Sequence, residues 1–190
     1  MIYPIIAYGH PGLRKKAEDI SPDYPDLKKF IDDLWETMYV TDGIGLAAPQ
    51  INKSIRIFVI DATALSEKYP EVKDFKKTFI NAQIIKEEGE EWSYSEGCLS
   101  IPDINETVLR KPRLLMRWHD EDFTEHEQWF DGVIARVIQH EYDHLEGILF
   151  TDLLSNIRKI LLKGKLADIS KGDIKVDYRM IFPLRKKSNR

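Results

Sequence analysis

The chain contains a single cysteine, Cys98, among its 190 residues. One cysteine cannot form an internal disulfide, which excludes the disulfide-stapled folds of small secreted proteins and leaves this thiol for packing, chemistry or metal binding. Long apolar runs are absent as well: no stretch approaches the roughly 20 residues that a membrane-spanning helix needs. The N-terminal residues show neither a basic region nor a small-residue cleavage site. We therefore expect a cytoplasmic protein with no membrane segment.

An excess of positive charge is also missing, because the formal net charge is -4. Proteins that bind nucleic acids generally need a positive field to neutralise phosphates, so no specific nucleic-acid partner is expected. The basic residues from 184 to 190 are a local exception, and we expect them to form a flexible tail. No repeat or Gly/Ser linker divides the chain, and its length suits one domain. The expected organisation is one domain over residues 1–190.

The apolar residues change their spacing along the chain in a way that predicts an α+β fold. Helical spacing predicts α-helices over residues 26–38, 132–144 and 154–169. Runs rich in β-branched or aromatic residues predict strands over residues 55–60, 78–80, 114–118 and 174–182. The charged stretch from 62 to 77 contains Pro70, which favours an excursion on the surface.

The second of these helices carries the motif His-Glu-x-x-His, formed by His140, Glu141 and His144. Residues four apart lie on one side of an α-helix, so two imidazoles at this spacing can bind one metal ion. The histidines continue an apolar stripe that starts at Val133 and Val137, which points them inward. The alternative is a helix with two ordinary buried histidines, each of which would need a hydrogen-bond partner.

A catalytic metal site of this type needs a third protein ligand. The longer motif with a distal histidine fails, because Phe150 stands where that histidine would be, and no histidine or glutamate lies beyond Glu146. Cys98 is the best remaining candidate, because a thiolate and two imidazoles leave one position open for water. The other candidates are aspartates downstream, at positions 152, 168, 173 and 177, and histidines upstream, at positions 10, 119 and 126.

Three segments together resemble the motifs of the peptide deformylase family. They are Gly43–Gln50, Glu96–Ser100 and Gln139–His144, and the likeness extends to Tyr8–Arg14 near the N-terminus. The resemblance implies antiparallel β-sheets around a central helix that bears the two histidines, in a single compact domain. It also implies a hydrolase that removes the N-formyl group from the N-terminal formylmethionine of nascent polypeptides and releases formate in the bacterial cytoplasm.

The resemblance implies one divalent metal ion, Fe(II) in the cell and replaceable by Zn, Ni or Co, with Cys98, His140 and His144 as its ligands. A metal-bound water would be the nucleophile and Glu141 the general base. Gln50 and the backbone N–H of Leu99 would stabilise the oxyanion. The residues implied in substrate binding are Gly43, Ile44, Gly45, Glu96, Val133 and Val137. The implied partners are formylated nascent peptides and, transiently, the ribosome.

Two positions depart from the family pattern, and two rival functions remain. Asn52 stands where glycine is common, and Asn105 stands where some members carry arginine. A peptidase that cleaves internal bonds would share the histidine helix but would need a downstream ligand. A domain whose metal only stabilises the fold would need a fourth protein ligand, and Cys98 has no close-set cysteine or histidine partner.

Overall fold

A computed structural model describes residues 1–183 of the chain. The tail from residue 184, for which we expect flexibility, lies outside the described residues. These residues form nine strands: β1 (Ile5–Ile6), β2 (Gly45–Ala47), β3 (Ile57–Asp61), β4 (Lys76–Glu88), β5 (Trp92–Cys98), β6 (Ile101–Arg110), β7 (Arg113–His119), β8 (Glu125–Asp131) and β9 (Met180–Ile181). Three α-helices accompany them: α1 (Leu27–Val40), α2 (Gly132–Leu145) and α3 (Asn156–Lys171). The predicted mixed α+β fold is confirmed.

The strands form three sheets. Five strands pair in the order β2-β3-β4-β7-β8, and β5 and β6 form a separate hairpin; all of these pairs are antiparallel, as expected. The exception is the short pair of β1 with β9, which is parallel and brings the two ends of the described chain together. The predicted final strand over residues 174–182 is confirmed only at Met180–Ile181.

The five-stranded sheet is covered on both faces, which explains why β3 reads as a continuous apolar run. Successive side chains of a strand point to opposite faces. Phe58 and Ile60 accordingly pack in the cluster that includes α2, whereas Ile57 and Val59 pack in the cluster that includes α1. A third cluster lies between β6 and α3. Helix α2 is thereby held between the sheet and the remaining elements, with its inward face fully enclosed.

The charged segment between β3 and β4, predicted to be a surface excursion, is partly anchored in the core. Two short 3-10 helices, Thr63–Leu65 and Pro70–Val72, occupy it, and β4 already begins at Lys76. Val72 is fully buried, and the Phe75 ring meets the Phe130 ring edge-on at 6.0 Å between centroids. Apolar anchors therefore tie this excursion to the main core. Within residues 1–183, no helix combines the length and apolar composition needed to cross a membrane.

The main core is organised around Phe79 of β4. Its ring stacks on Phe58 with centroids 4.6 Å apart and also contacts Trp118 at 5.2 Å and Phe130 at 6.0 Å. All four side chains are nearly or fully buried. These contacts connect β3, β4, β7 and β8 beneath α2.

We expect Phe79→Ala to lower the free energy of unfolding by about 3–5 kcal/mol, because it removes a buried ring and leaves a cavity. Urea unfolding measures the difference. Ile85→Ala is the matched control, since Ile85 lies in the same strand with 45% of its surface exposed; it should cost less than about 1 kcal/mol. Equal losses in the two variants would contradict this description of the core.

Candidate metal centre

The two histidines of α2 lie at the end of the helix that faces the β5–β6 hairpin. Val133, Ile134, Ala135 and Ile138 fill the enclosed face of this helix, and His144 continues it with 1% of its surface exposed. The His140 and His144 rings meet nearly at right angles, with centroids 5.2 Å apart. Gly147 has a φ of +73°, which suits the residue that follows a helix end. Both histidines, His140 and His144, point inward as predicted.

Cys98 is the last residue of β5, and it reaches the two histidines from the neighbouring hairpin. One ligand atom from each of Cys98, His140 and His144 lies within 4.8 Å of the others. No other histidine, cysteine, aspartate or glutamate joins this group among residues 1–183, so neither the alternative third ligands nor a fourth protein ligand is found there. Three ligands without a fourth are typical of catalytic rather than structural sites.

The spacing of the donor atoms fits a tetrahedral metal ion. Cys98 Sγ lies 3.4 Å from His144 Nε2. Metal–sulfur and metal–nitrogen bonds of about 2.3 and 2.05 Å at a tetrahedral angle would place these two atoms about 3.6 Å apart. The set of one thiolate and two imidazoles suits Fe(II), Zn, Ni or Co rather than Mg or Ca. The residues present therefore fit a divalent transition-metal ion.

The electrostatics of the site agree with this fit. Burial lowers the pKa of His144 well below its usual value, which favours the neutral imidazole that metal binding requires. Burial alone would also lower the pKa of His140, but hydrogen bonds to Cys98 and Glu96 outweigh it and raise that pKa. The hydrogen-bond partners of His140 thus favour a positive charge on its ring.

Glu96 orients His140 from the side away from the candidate ion. Its Oε2 accepts a hydrogen bond from His140 Nδ1 at 2.9 Å, which leaves Nε2 of the imidazole for a metal. Both Glu96 oxygens also accept from Arg110, at 2.7 and 2.9 Å, and Oε1 accepts from Arg136 at 2.9 Å. Burial would raise the pKa of Glu96, but the hydrogen bonds from His140 and Arg110 hold it well below its usual range. Glu96 is thus a buried carboxylate in every state near neutral pH.

Sequence analysis missed the two arginines of this network, together with Asp143, which accepts a 2.7 Å hydrogen bond from Arg110. A signal for each arginine was present. Arg136 lies four residues before His140 and is therefore on the same side of α2. Arg110 is the last of the alternating buried positions of β6. A charged side chain on a buried face needs a buried partner of opposite charge. The partner, Glu96, is distant in sequence.

Glu141 lies beside the candidate metal ligands but outside their group. Burial raises its pKa to about 7, and its Oε2 has no hydrogen-bond partner among the described residues. Gly45 of β2 packs directly on this carboxylate: a Cβ at position 45 would lie 2.7 Å from Glu141 Cδ. A glycine is therefore needed at this point of β2 for Glu141 to keep its place.

Gln50 presents its amide N–H₂ to the same site. Its Oε1 accepts a 2.9 Å hydrogen bond from the backbone N–H of Ala47, which orients the amide. Its Nε2 then lies 3.5 Å from Cys98 Sγ and 3.4 Å from Ser100 Oγ. Gln50 belongs to a short 3-10 helix that Asn52 ends with a φ of +61°. Asparagine tolerates this conformation, so the departure from glycine at position 52 leaves Gln50 in place.

These residues open into a cavity of about 760 Å³. Cys98, His140 and Glu141 line it, and so does Asn105, the second departure from the family pattern. The implied substrate and oxyanion residues that also line it are Gly43, Ile44, Gly45, Gln50, Glu96, Leu99 and Val137. Val133 lies one turn before Val137, is buried among the main-core residues and is not one of the residues that line the cavity.

Comparison with known proteins agrees with this geometry. The family model described as polypeptide deformylase matches residues 2–159. The chain belongs to the peptide deformylase family. The peptide deformylase of Christiangramia forsetii is 53% identical over 99% of this chain and 100% of its own length. That of Flavobacterium johnsoniae is 54% identical over 98% and 99%, respectively.

Solved structures give the same result for the fold. The crystal structure of a peptide deformylase from Legionella pneumophila matches with a TM-score of 0.78 and 32% identity, and it covers 91% of this chain and 98% of its own. The peptide deformylase from Thermus thermophilus matches with a TM-score of 0.78 and 37% identity over 89% and 98%. This chain is therefore a peptide deformylase, and its family removes N-formyl groups from nascent peptides.

We expect Gly45→Ala to lower kcat/KM for deformylation about ten- to a hundredfold, because the new methyl group displaces Glu141 by a fraction of an ångström or more. Metal content should stay at the wild-type level, since the three atoms nearest to the new methyl group all belong to Glu141, which is not one of the candidate ligands. Gly164→Ala is the matched control: nothing lies within 4 Å of a Cβ there. Its activity should not change. A fully active Gly45→Ala enzyme would show that the Glu141 position is not critical.

Proposed function

We propose that this enzyme is a metal-dependent amidase that removes the formyl group from the N-terminal formylmethionine of nascent polypeptides and releases formate. The observation that carries the proposal is the convergence of Cys98, His140 and His144 beside Glu141, at a cavity that Cys98, His140 and Glu141 line. Residues 1–190 form one catalytic domain in this proposal. Its setting is the bacterial cytoplasm, in keeping with the bacterial relatives.

Cys98, His140 and His144 would hold one divalent ion, Fe(II) in the cell, with Zn, Ni or Co as substitutes. Such an ion supplies a water nucleophile at neutral pH by lowering the pKa of that water towards about 7. The protein contributes the orientation of the ligands. Glu96 fixes the His140 ring through Nδ1, and Arg110 and Arg136 keep the Glu96 carboxylate ionised in the interior. Ligand orientation of this kind commonly changes metal affinity by about 10- to 100-fold.

Glu141 would act as the general base and then as the general acid. Its carboxylate would take the proton of the attacking water and later deliver that proton to the departing amine of the peptide. A group that does both works best when its pKa lies near the operating pH. The burial that raises the pKa of Glu141 to about 7 supports this role. No described residue donates a hydrogen bond to its Oε2, so the carboxylate is not held in a structural hydrogen bond at that oxygen.

Gln50 and Leu99 would stabilise the negative charge that forms on the formyl oxygen. The Gln50 amide carries no charge of its own, and its Oε1 is already engaged by Ala47, so Nε2 remains available as a donor. The backbone N–H of Leu99 would be the second donor, next to the ligand Cys98. Loss of one such donor typically costs about 2.7–4 kcal/mol of transition-state stabilisation.

The substrate backbone would lie along β2. This strand forms the edge of the five-stranded sheet, where β3 pairs with one side only. Gly43 and Gly45 allow close approach to this edge, and main-chain hydrogen bonds there would not depend on the peptide sequence. Ile44 and Val137 would form the walls of the methionine pocket, with Glu96 nearby. Such a site suits an enzyme that acts on many different nascent chains.

The basic run after residue 184 supports one more partner, the ribosome, with which we propose a transient association. Clustered lysine and arginine residues are attracted to phosphates even in a chain of negative net charge. No membrane or specific nucleic-acid partner enters the proposal.

The direct test measures formate release from a formyl-Met peptide by protein prepared without oxygen. Glu141→Gln should lose at least about a hundredfold in kcat, because proton transfer by a positioned base contributes roughly 10²–10⁴-fold. Its metal content should remain near one ion per chain. Cys98→Ala should lose both activity and metal, which separates the base from the ligand.

The same assay with an unformylated peptide is the control, and no cleavage of its peptide bonds is expected. An active Glu141→Gln enzyme would remove the proposed base. Full metal retention in Cys98→Ala would remove the proposed ligand, and wild-type protein with metal but without formate release would contradict the function itself.

A further inference from the structure

The C-terminal segment forms part of the active-site wall although it lies beyond the residues matched by the family model. That model ends at residue 159. Four residues much later in the chain, Lys175 to Tyr178, line the same cavity as Cys98 and Glu141. Nothing in the proposed chemistry uses them so far. Tyr178 is the one whose side chain has a directed contact with the catalytic elements.

Tyr178 binds the turn that carries the proposed oxyanion donor. Its hydroxyl donates a 2.8 Å hydrogen bond to the backbone carbonyl of Leu99. Leu99 and Ser100 form the tight turn between Cys98 and Ile101, which pair across the β5–β6 hairpin. The Leu99 carbonyl and the Leu99 N–H belong to the peptide groups on either side of the same Cα. A bond to the carbonyl therefore restricts the direction of the N–H.

A second contact restrains the other outward carbonyl of this turn. The backbone N–H of Tyr8, just after β1, donates a 2.8 Å hydrogen bond to the Ser100 carbonyl. The two contacts are mechanically connected, because β1 pairs with β9 near Tyr178. Ile5 N–H donates to Arg179 O and Ala7 N–H donates to Ile181 O, both at 2.9 Å. Residues near the two ends of the described chain thus both form hydrogen bonds with the turn at Leu99 and Ser100.

We propose that Tyr178 is a positioning residue that, with the paired β1 and β9 strands, fixes the turn bearing Cys98 and Leu99. This inference rests on the proposed function insofar as Leu99 N–H acts as the oxyanion donor. Oxyanion donors act at about 2.7–3.1 Å from the developing charge, so a small rotation of the Leu99 peptide groups weakens the interaction in the transition state. Substrate binding would depend instead on the β2 edge and on the side chains of the cavity wall, which loss of the Tyr178 hydroxyl alone leaves in place.

Tyr178→Phe tests the hydroxyl alone, because the ring remains and still packs against the cluster that includes α1. Tyr24→Phe is the matched control: Tyr24 is also half-buried against the cluster that includes α1, but it does not line the cavity. We expect kcat of the metal-loaded Tyr178→Phe enzyme to fall about five- to twentyfold with KM within about twofold, the pattern of an interaction made mainly in the transition state. Tyr24→Phe should match the wild type.

Hydrogen exchange supplies a readout that does not depend on activity. Backbone amides of the peptide from Gly97 to Ile101, followed by mass spectrometry, should exchange at least about threefold faster in Tyr178→Phe than in Tyr24→Phe, because local opening becomes easier. Urea midpoints of the two variants should agree, which separates positioning from a general loss of stability.

Several results would overturn the proposal. These are unchanged exchange in the turn, unchanged kcat despite faster exchange, a rise in KM alone, and equal effects in both variants. Absence of formate release by the wild-type enzyme would refute the proposed function instead. In that case the exchange comparison would still decide whether Tyr178 restrains the turn.

Discussion

The ionic contact between Glu96 and the side chains around it connects the two elements that build the active site. Glu96 belongs to β5, whereas Arg136 and His140 belong to α2, and both oxygens of the carboxylate are used in the contact. All of these groups are buried or nearly so, and removing Glu96 would leave the Arg136 guanidinium without its carboxylate partner, at a cost of roughly 3–5 kcal/mol. This contact aligns the hairpin on the helix. Cys98, two residues beyond Glu96, thereby reaches the histidines.

The covered sheet provides the second half of the site. Helix α2 packs on β2 and β3, and Gly45 at the sheet edge lets the Glu141 carboxylate fit beneath the strand. On its other side, β2 pairs with no strand among the described residues. In the proposed function, one helix would present two metal ligands and the general base, while the sheet edge would bind the peptide backbone. The chemistry at the formyl group would then be separate from the binding of the residues that follow it.

Sequence patterns predicted the parts of this structure that depend on local periodicity. Helix α2 was predicted to within one residue at its C-terminal end, because its apolar stripe and Gly147 both mark it. Strand β4 was recognised only at Thr78–Ile80, since its outer half is polar and Asn81 interrupts it with a φ of +51°. The family motifs identified the residues that the structure brings together around the cavity. The pairing of Arg110 and Arg136 with Glu96, and the contact of Tyr178 with Leu99, could not be predicted, because these contacts span more than ten residues of sequence and periodicity does not indicate which distant residues meet.

X-ray absorption spectroscopy of the metal-loaded enzyme tests the central claim most directly. The account predicts one ion per chain, with one sulfur donor at about 2.3 Å and the remaining donors nitrogen or oxygen at about 2.0–2.2 Å. The expected sulfur donor is the thiolate of Cys98, the single cysteine of the chain. A spectrum of the wild-type enzyme without a sulfur donor, or with a fourth protein ligand in place of solvent, would contradict the account.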